Sequence, residues 1–462
     1  MYDNRDPLDY GKADIPKLFR SIFIPTLFGM MFNMAFLLTD GIFIGHGVGA
    51  YGLASVNLIG PIMMVINGTG MMFGIGGSVV AAIHMARNNT KAARINVTQA
   101  FMAATVIGVL MLATFYLFPN ATLRLLGVSA PLFEATRTYY LWFIPTCVLL
   151  LIETLGLFVI RLDGSPVYAM LSNIIPAMAN ILFDYLFIFP CRWGLAGAAL
   201  ATDLGGLIGV GMVGYYMLFR AKSLKFYRLK STATSIRLSL RNVVKMAQVG
   251  FSGFVGELAM AVLMMTGNIM FGRYLGDDGI AAFSVACYLF PLIFMTYSAI
   301  AQSAQPIISF NHGAGNRSRV WKTLRHIIFT AMAMGGAVTL AFVLLAPVVI
   351  RIFITPDSAS YALAARGLPF FAAGFVFMAV NLCTIGYLQG VARNRASTLL
   401  TLLRGVVFMV AAFVVLPHWM GTVGLWLAEP AAELLTLLVI LAAWGLSRGK
   451  MGRSSTVSEK QL

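Results

Sequence analysis

Twelve apolar segments follow one another along this chain: 17–44, 52–80, 95–118, 131–159, 165–189, 194–219, 242–271, 279–308, 323–348, 362–390, 396–416 and 421–446. A helix crossing about 30 Å of hydrocarbon needs around 20 apolar residues, and each segment suffices. Transmembrane β-strands would alternate over about ten residues, and these runs are too long and unbroken for that. Most contain Gly or Pro, which membrane helices tolerate. Charged residues make up 11% of the chain and hydrophobic ones 59%. An ordinary soluble domain is roughly 25% charged. A soluble chain this poor in charge could not cover its surface, so the excess apolar area must face lipid. The expected fold is an all-α polytopic membrane protein with twelve transmembrane helices, spans 1 to 12. Disordered, fibrous and disulfide-rich secreted classes are excluded. Cys147, Cys191, Cys287 and Cys383 are scattered and form no CxxC pair, which argues against a disulfide framework or a structural metal site. The chain opens with Asp3, Asp6 and Asp9, unlike the basic start of a cleavable signal peptide, so span 1 is expected to be retained.

The net charge of +16 reads as a loop bias and not as a nucleic-acid surface. The loops after spans 2, 4, 6, 8 and 10, counted with the adjoining span ends, carry seventeen Lys and Arg, from Arg87 to Arg395, and the opposite loops and span ends carry five: Arg124, Arg192, Arg273, Arg351 and Arg366. By the positive-inside bias, both termini are expected in the cytoplasm. The basic residues between 220 and 241 then form a linker. The expected organisation is a six-helix lobe over 1–220, a basic cytoplasmic linker over 221–241, a second six-helix lobe over 242–447 and a cytoplasmic tail over 448–462.

The two halves align at an offset of 227 residues with hardly a gap. Gly45, Gly49, Gly52 and Ala54 fall on Gly272, Gly276, Gly279 and Ala281; Arg124 falls on Arg351; Gly194 and Gly197 fall on Gly421 and Gly424. Chance similarity between apolar segments would not hold one offset across loops and glycines alike. Six helices per half make the two bundles parallel repeats, related by an axis along the membrane normal, with a substrate path expected at their interface.

Ionisable residues inside spans are costly and therefore functional candidates. The candidates taken from them are Asp40, Glu153, Asp184, Asp203, Glu257, Arg404, Glu429 and Glu433. Asp40 lies near the outer end of span 1 and Asp184 near the outer end of span 5. Asn180 shares a face with Asp184, one turn deeper. Thr202 and Asp203 lie about eight residues into span 6, so at about 1.5 Å per residue all five occupy the outer half of the first bundle. Such an oxygen-rich cluster either holds a shared proton or ligates a hard cation such as Na⁺; the alternative is that Asp40 and Asp184 only bond neighbouring helices. The second bundle lacks this set: Asp40 maps to Gly267, Asp184 to Ala411 and Thr202 to Glu429. Arg404 is expected to neutralise Glu429 or Glu433. Glu257, Glu429 and Arg404 are a candidate second-lobe cation or substrate site, or else a structural charge network. Asp203 could face away from Thr202, and Glu153 has no evident partner.

Several stretches resemble the multidrug and toxic compound extrusion (MATE) transporters, nearest the DinF-like and MepA-like branch. They are Ile24-Pro25 in span 1, Thr39-Asp40-Gly41-Ile-Phe-Ile-Gly45 at its end, Gly197-Ala-Ala-Leu-Ala-Thr202 in span 6, and Gln305-Pro306-Ile-Ile-Ser-Phe-Asn311-His-Gly-Ala-Gly-Asn316 closing span 8. The resemblance covers residues 15 to 446. It implies two six-helix lobes and antiport of organic cations against Na⁺ or H⁺. It also implies a cation site at Asp40, Asn180, Asp184 and Thr202, and a bend of span 1 at Pro25. Glu257 matches the helix 7 glutamate that binds cations in the NorM-like branch. The acidic partner of that branch in span 8 is missing, since residues 283–308 contain no Asp or Glu.

The expected activity is cation-coupled export of organic, mostly cationic drugs by alternating access, in the inner membrane, with no cofactor beyond the coupling ion and no nucleic-acid partner. The chain is expected to act as a monomer. Met30, Met34, Met63, Met64, Met71, Met72, Met260 and Met264 suit a polyspecific wall or ordinary helix packing. A flippase for a lipid-linked precursor is the alternative. Moving an anionic head group would call for several cationic residues in the spans, and Arg404 is almost the only deep one. The acidic-and-basic signature of a major facilitator carrier is missing from Met85-Ala-Arg-Asn-Asn-Thr-Lys91. HExxH, GxSxG and clustered His/Cys are absent from the sequence, which argues against an enzyme.

Overall fold

Inside hydrocarbon a backbone can satisfy its polar groups only within its own segment, so the apolar runs fold as helices. The computed structural model describes residues 9–229 and 232–458. Asp3, Asp6, Lys230 and residues 459–462 of the expected tail lie outside them. The helices run in the order α1 (Ile15–Gly47), α2 (Ala50–Ala86), α3 (Thr90–Leu117), α4 (Pro119–Leu125), α5 (Phe133–Phe143), α6 (Thr146–Leu162), α7 (Pro166–Ile188) and α8 (Gly194–Tyr215). After them come α9 (Ala233–Gly313), α10 (Arg317–Phe353), α11 (Ala359–Ala372), α12 (Phe375–Gly390), α13 (Asn394–Leu402), α14 (Phe408–Trp426) and α15 (Ala428–Ser458). Two π-helical turns, Tyr216–Arg220 and Leu403–Val407, extend α8 and join α13 to α14. No strand occurs among the described residues.

Nine helices among the described residues are long and apolar enough to cross a membrane, and the bent pairs α5–α6 (50°) and α11–α12 (43°) each make one further span. The 81-residue α9 is two helices meeting at Gly276, whose φ of +64° is not helical. Counting α9 as spans 7 and 8 completes the expected twelve. The sequence suggests a loop at 272–278; one left-handed residue takes its place. Helix α9 also starts inside the expected linker, at Ala233, where the Thr232 hydroxyl accepts from the Ser235 amide at 3.3 Å as an N-cap. The charges of Arg237 and Arg241 conceal this start, because a helix that has left hydrocarbon no longer needs an apolar exterior.

The duplication is visible in the backbone. Gly49 and Gly276 have φ of +96° and +64°, and Gly194 and Gly421 have +56° and +57°. Each pair is separated by the 227-residue offset read from the sequence. Left-handed backbone is strained for L side chains, so the positions keep glycine where surrounding side chains have diverged.

The chain packs as two compact units. The first comprises Met1–Ala261, Phe294–Ile327 and Gly386–Thr398; the second comprises Val262–Ile293, Ile328–Ile385 and Leu399–Leu462. In the first, α1 packs on α7, α7 on α8, and α2 on α3 and α6; in the second, α14 packs on α15 and α11 on both.

Within the first unit, the ends of second-repeat helices that adjoin the basic loops lie against the first repeat. Backbones of α2 and α9 touch: a Cβ on Gly250 would fall 1.9 Å from the Met72 carbonyl oxygen. Gln305 donates to Ser78 Oγ at 3.1 Å, and Asn242 donates to Gln99 at 2.5 Å and to Asn96. Arg161, a loop charge by sequence, is 5% exposed. Its guanidinium lies 4.6 Å from the Phe158 ring centroid and donates to Gln302 Oε1 at 3.0 Å.

Candidate functional site

Three helices of the first unit carry the expected site: α1 brings Asp40, α7 brings Asn180 and Asp184, and α8 brings Thr202. The site is buried, with Asp40 at 7%, Asn180 at 3% and Asp184 at 0% exposure. Asn180 Nδ2 donates to Thr202 Oγ1 at 3.4 Å, and Thr202 donates to the Ala198 carbonyl one turn earlier at 3.1 Å. The Asp40 and Asp184 carboxylates lie within hydrogen-bonding reach of each other. Ionised carboxylates only accept, so this approach requires a proton or a cation between them. Asp40 Oδ1, Asn180 Oδ1 and both Asp184 oxygens are buried with no donor among the described residues. Buried polar atoms are normally paired. Four such oxygens are left without a donor on α1 and α7.

Two side chains that the sequence did not single out, Tyr139 and Thr146, stand among the surrounding groups. Tyr139, on α5 and fully buried, lies close enough to interact electrostatically with Asp40, Asp184 and Asp203. Asp203 accepts a hydrogen bond from Thr146 at the start of α6, which engages it outside the Asn180–Thr202 contact. Glu153 on α6 lies across Gly209 of α8, where a Cβ would come within 2.5 Å of its carboxyl carbon. Glu257 lies within hydrogen-bonding reach of Asn67 on α2. Pro25 is buried inside α1; it lacks an N–H, so it removes one helical hydrogen bond at the place where a bend is expected.

In the second unit, Arg404 Nε lies 2.5 Å from Glu433 Oε1. The expected neutralising pair is thus Arg404 with Glu433. Asn381 of α12 donates to Glu433 Oε2 at 2.7 Å. Glu429 is 0% exposed and stands one turn before Glu433 on α15.

Twelve spans in two repeats, with a buried acidic pair in one of them, define a polytopic membrane protein of the transporter class. The MatE family profile matches the chain twice, once in each repeat, over residues 25–186 and 254–416. The chain belongs to the MatE family. The multidrug export protein MepA of Staphylococcus saprophyticus is 21% identical over 436 residues, covering 93% of this chain and 94% of MepA. An FAD transporter of Shewanella oneidensis is 24% identical over 320 residues, 68% of each chain. A solved structure described as the outward-facing conformation of a multidrug resistance MATE family transporter superposes with a TM-score of 0.88 at 22% identity. The match covers 96% of this chain and 98% of that one, and shows that the fold is shared.

Proposed function

We propose that this protein is a cation-coupled antiporter that exports organic, mostly cationic compounds from the cytoplasm across the inner membrane. Na⁺ or H⁺ enters the site of Asp40, Asn180, Asp184 and Thr202 and drives the exchange. The observation that carries this reading is the approach of the Asp40 and Asp184 carboxylates in a buried place where neither Asp184 oxygen has a donor among the described residues. Such a pair is stable only with a proton or cation between them, and losing that ion forces α1 and α7 apart or opens them to water. Ion occupancy is thereby tied to the position of α1, which Pro25 allows to bend. The first-unit contacts between α2 and α9 then belong to the state closed to the cytoplasm, and both termini lie on that side. One charge moving down about 100 mV contributes about 2.3 kcal/mol. At one-for-one exchange with a neutral compound this supports roughly a fortyfold gradient.

MepA is named for multidrug export, which favours organic substrates here as well. The FAD transporter relative raises an anionic cargo. The ion pair of Arg404 with Glu433 weighs against that cargo and against the flippase alternative, because it engages almost the only deep cation of the spans. The test is efflux of ethidium from proteoliposomes with Na⁺ and pH gradients imposed separately. Asp40→Asn should insert normally and lose gradient-driven efflux. Normal efflux by this variant would end the coupling role of Asp40.

A further inference from the structure

Among the described residues, the buried charges of the second unit do not balance. Glu433 has partners on both oxygens, Arg404 at 2.5 Å and Asn381 at 2.7 Å. Glu429 is fully buried, and neither of its carboxylate oxygens has a hydrogen-bond partner among the described residues. It interacts electrostatically with both Glu433 and Arg404. One guanidinium stands against two carboxylates, and a buried charge left over in this way costs several kcal/mol.

Helix backbone packs directly against the bare carboxylate. The break between α11 and α12 falls at Gly374, where a Cβ would lie 2.2 Å from Glu429 Oε2. Arg404 sits in the π-helical turn Leu403–Val407, a local irregularity often found at functional sites. Glu429 also stands at the repeat equivalent of Thr202, so the same place in each repeat holds a polar group of a buried cluster.

We infer that Glu429, together with Glu433 and Arg404, forms a second exchangeable site that takes up one monovalent cation, H⁺ or Na⁺, independently of the Asp40–Asp184 site. The bound ion brings the trio to neutrality, and its release leaves one negative charge beside Gly374. The role of this site in transport rests on the proposed ion coupling. Its binding does not, so the two can fail separately.

The test uses the purified full chain in nanodiscs, in an Asp40→Asn/Asp184→Asn background that removes the first site. Labelled Na⁺ bound per chain and protons taken up on moving from alkaline to mildly acid solution are counted with and without Glu429→Gln. The expected result is one ion fewer per chain with Glu429→Gln. A drop in Na⁺ count identifies Na⁺, and a drop in proton count alone identifies H⁺. Glu433→Gln leaves Arg404 balanced by Glu429, so it should remove the same single ion. It serves as the comparison should Glu429→Gln fail to fold. Unchanged counts for both ions in folded protein would overturn the inference and make the trio a fixed structural network. Failure of the proposed function would instead appear as normal ethidium efflux by Asp40→Asn.

Discussion

The Tyr10 phenol donates a 2.8 Å hydrogen bond to the carbonyl of Arg161, tying the segment before α1 to the last turn of α6. The same segment is gripped from the second repeat. Asn311 donates to the Tyr10 carbonyl at 2.8 Å, and Arg319 donates to the Ala13 carbonyl at 2.6 Å. Burial, and then the charge of Asp163, raise the phenol's pKa, so it remains a donor at any physiological pH. The segment is a strap across the basic ends of both repeats, and it is expected to let go when those ends separate. Tyr10→Phe with Arg319→Ala removes its main bonds, at about 1 kcal/mol each. At about 2 kcal/mol for the pair, the open state should gain roughly thirtyfold in population. Maleimide labelling of a cysteine placed at the buried Ser309, in a chain stripped of native cysteines, should quicken accordingly; an unchanged rate would mean that the strap holds nothing.

Asn180 tests the ligand set without altering charge. Its Oδ1 is buried and has no donor among the described residues. Asn180→Leu should weaken cation binding roughly tenfold, about 1.4 kcal/mol, while thermal unfolding stays near that of the parent. Labelled Na⁺ binding or proton uptake reads the first quantity. Unaltered affinity for both ions would remove Asn180 from the site.

Asp163 is an anchor and not a transport residue. Its carboxylate accepts from the Tyr216 phenol at 2.8 Å and from the amides of Lys222, Ser223 and Leu224 at 2.6, 2.8 and 2.9 Å. Asp163→Ala leaves buried donors unmet, a loss on the order of 2–4 kcal/mol. The unfolding midpoint should fall, and turnover per folded chain should hold. A fall in turnover without loss of stability would reverse this assignment.

The contact of α2 with α9 depends on Gly250. A valine there places atoms where the Met72 carbonyl lies, and overpacking of this kind costs typically about 1–3 kcal/mol. Gly250→Val should therefore disfavour the state closed on the basic side and lower ethidium efflux severalfold, with insertion unaffected. Full efflux would show that this approach is not on the transport path.

The spans were legible because lipid imposes a composition that water does not. Their ends were less so. Span 7 begins nine residues before its apolar run, at Ala233, since the basic turns of α9 obey no lipid constraint. Asp40, Asn180, Asp184 and Thr202 were legible because oxygen-rich residues inside hydrocarbon are conspicuous, and helix periodicity set their faces. Tyr139, Thr146 and Asn381 were not, because a phenol, a hydroxyl or an amide in an apolar run signals little until a charge is found beside it. Arg161 misled in the other direction. Its place near a turn reads as a solvated charge, whereas Phe158 and Gln302 enclose it. Arg404 reaches Glu433 from within a π-helical turn, which a regular helical pitch does not anticipate.

The paired left-handed glycines outlasted the chemistry around them. Gly49 and Gly276 share a backbone geometry, whereas Asp40 faces Gly267 across the same duplication. A duplicated carrier can therefore specialise one half at a time: the hinges are inherited as a set, and the ligands beside them are free to be rewritten.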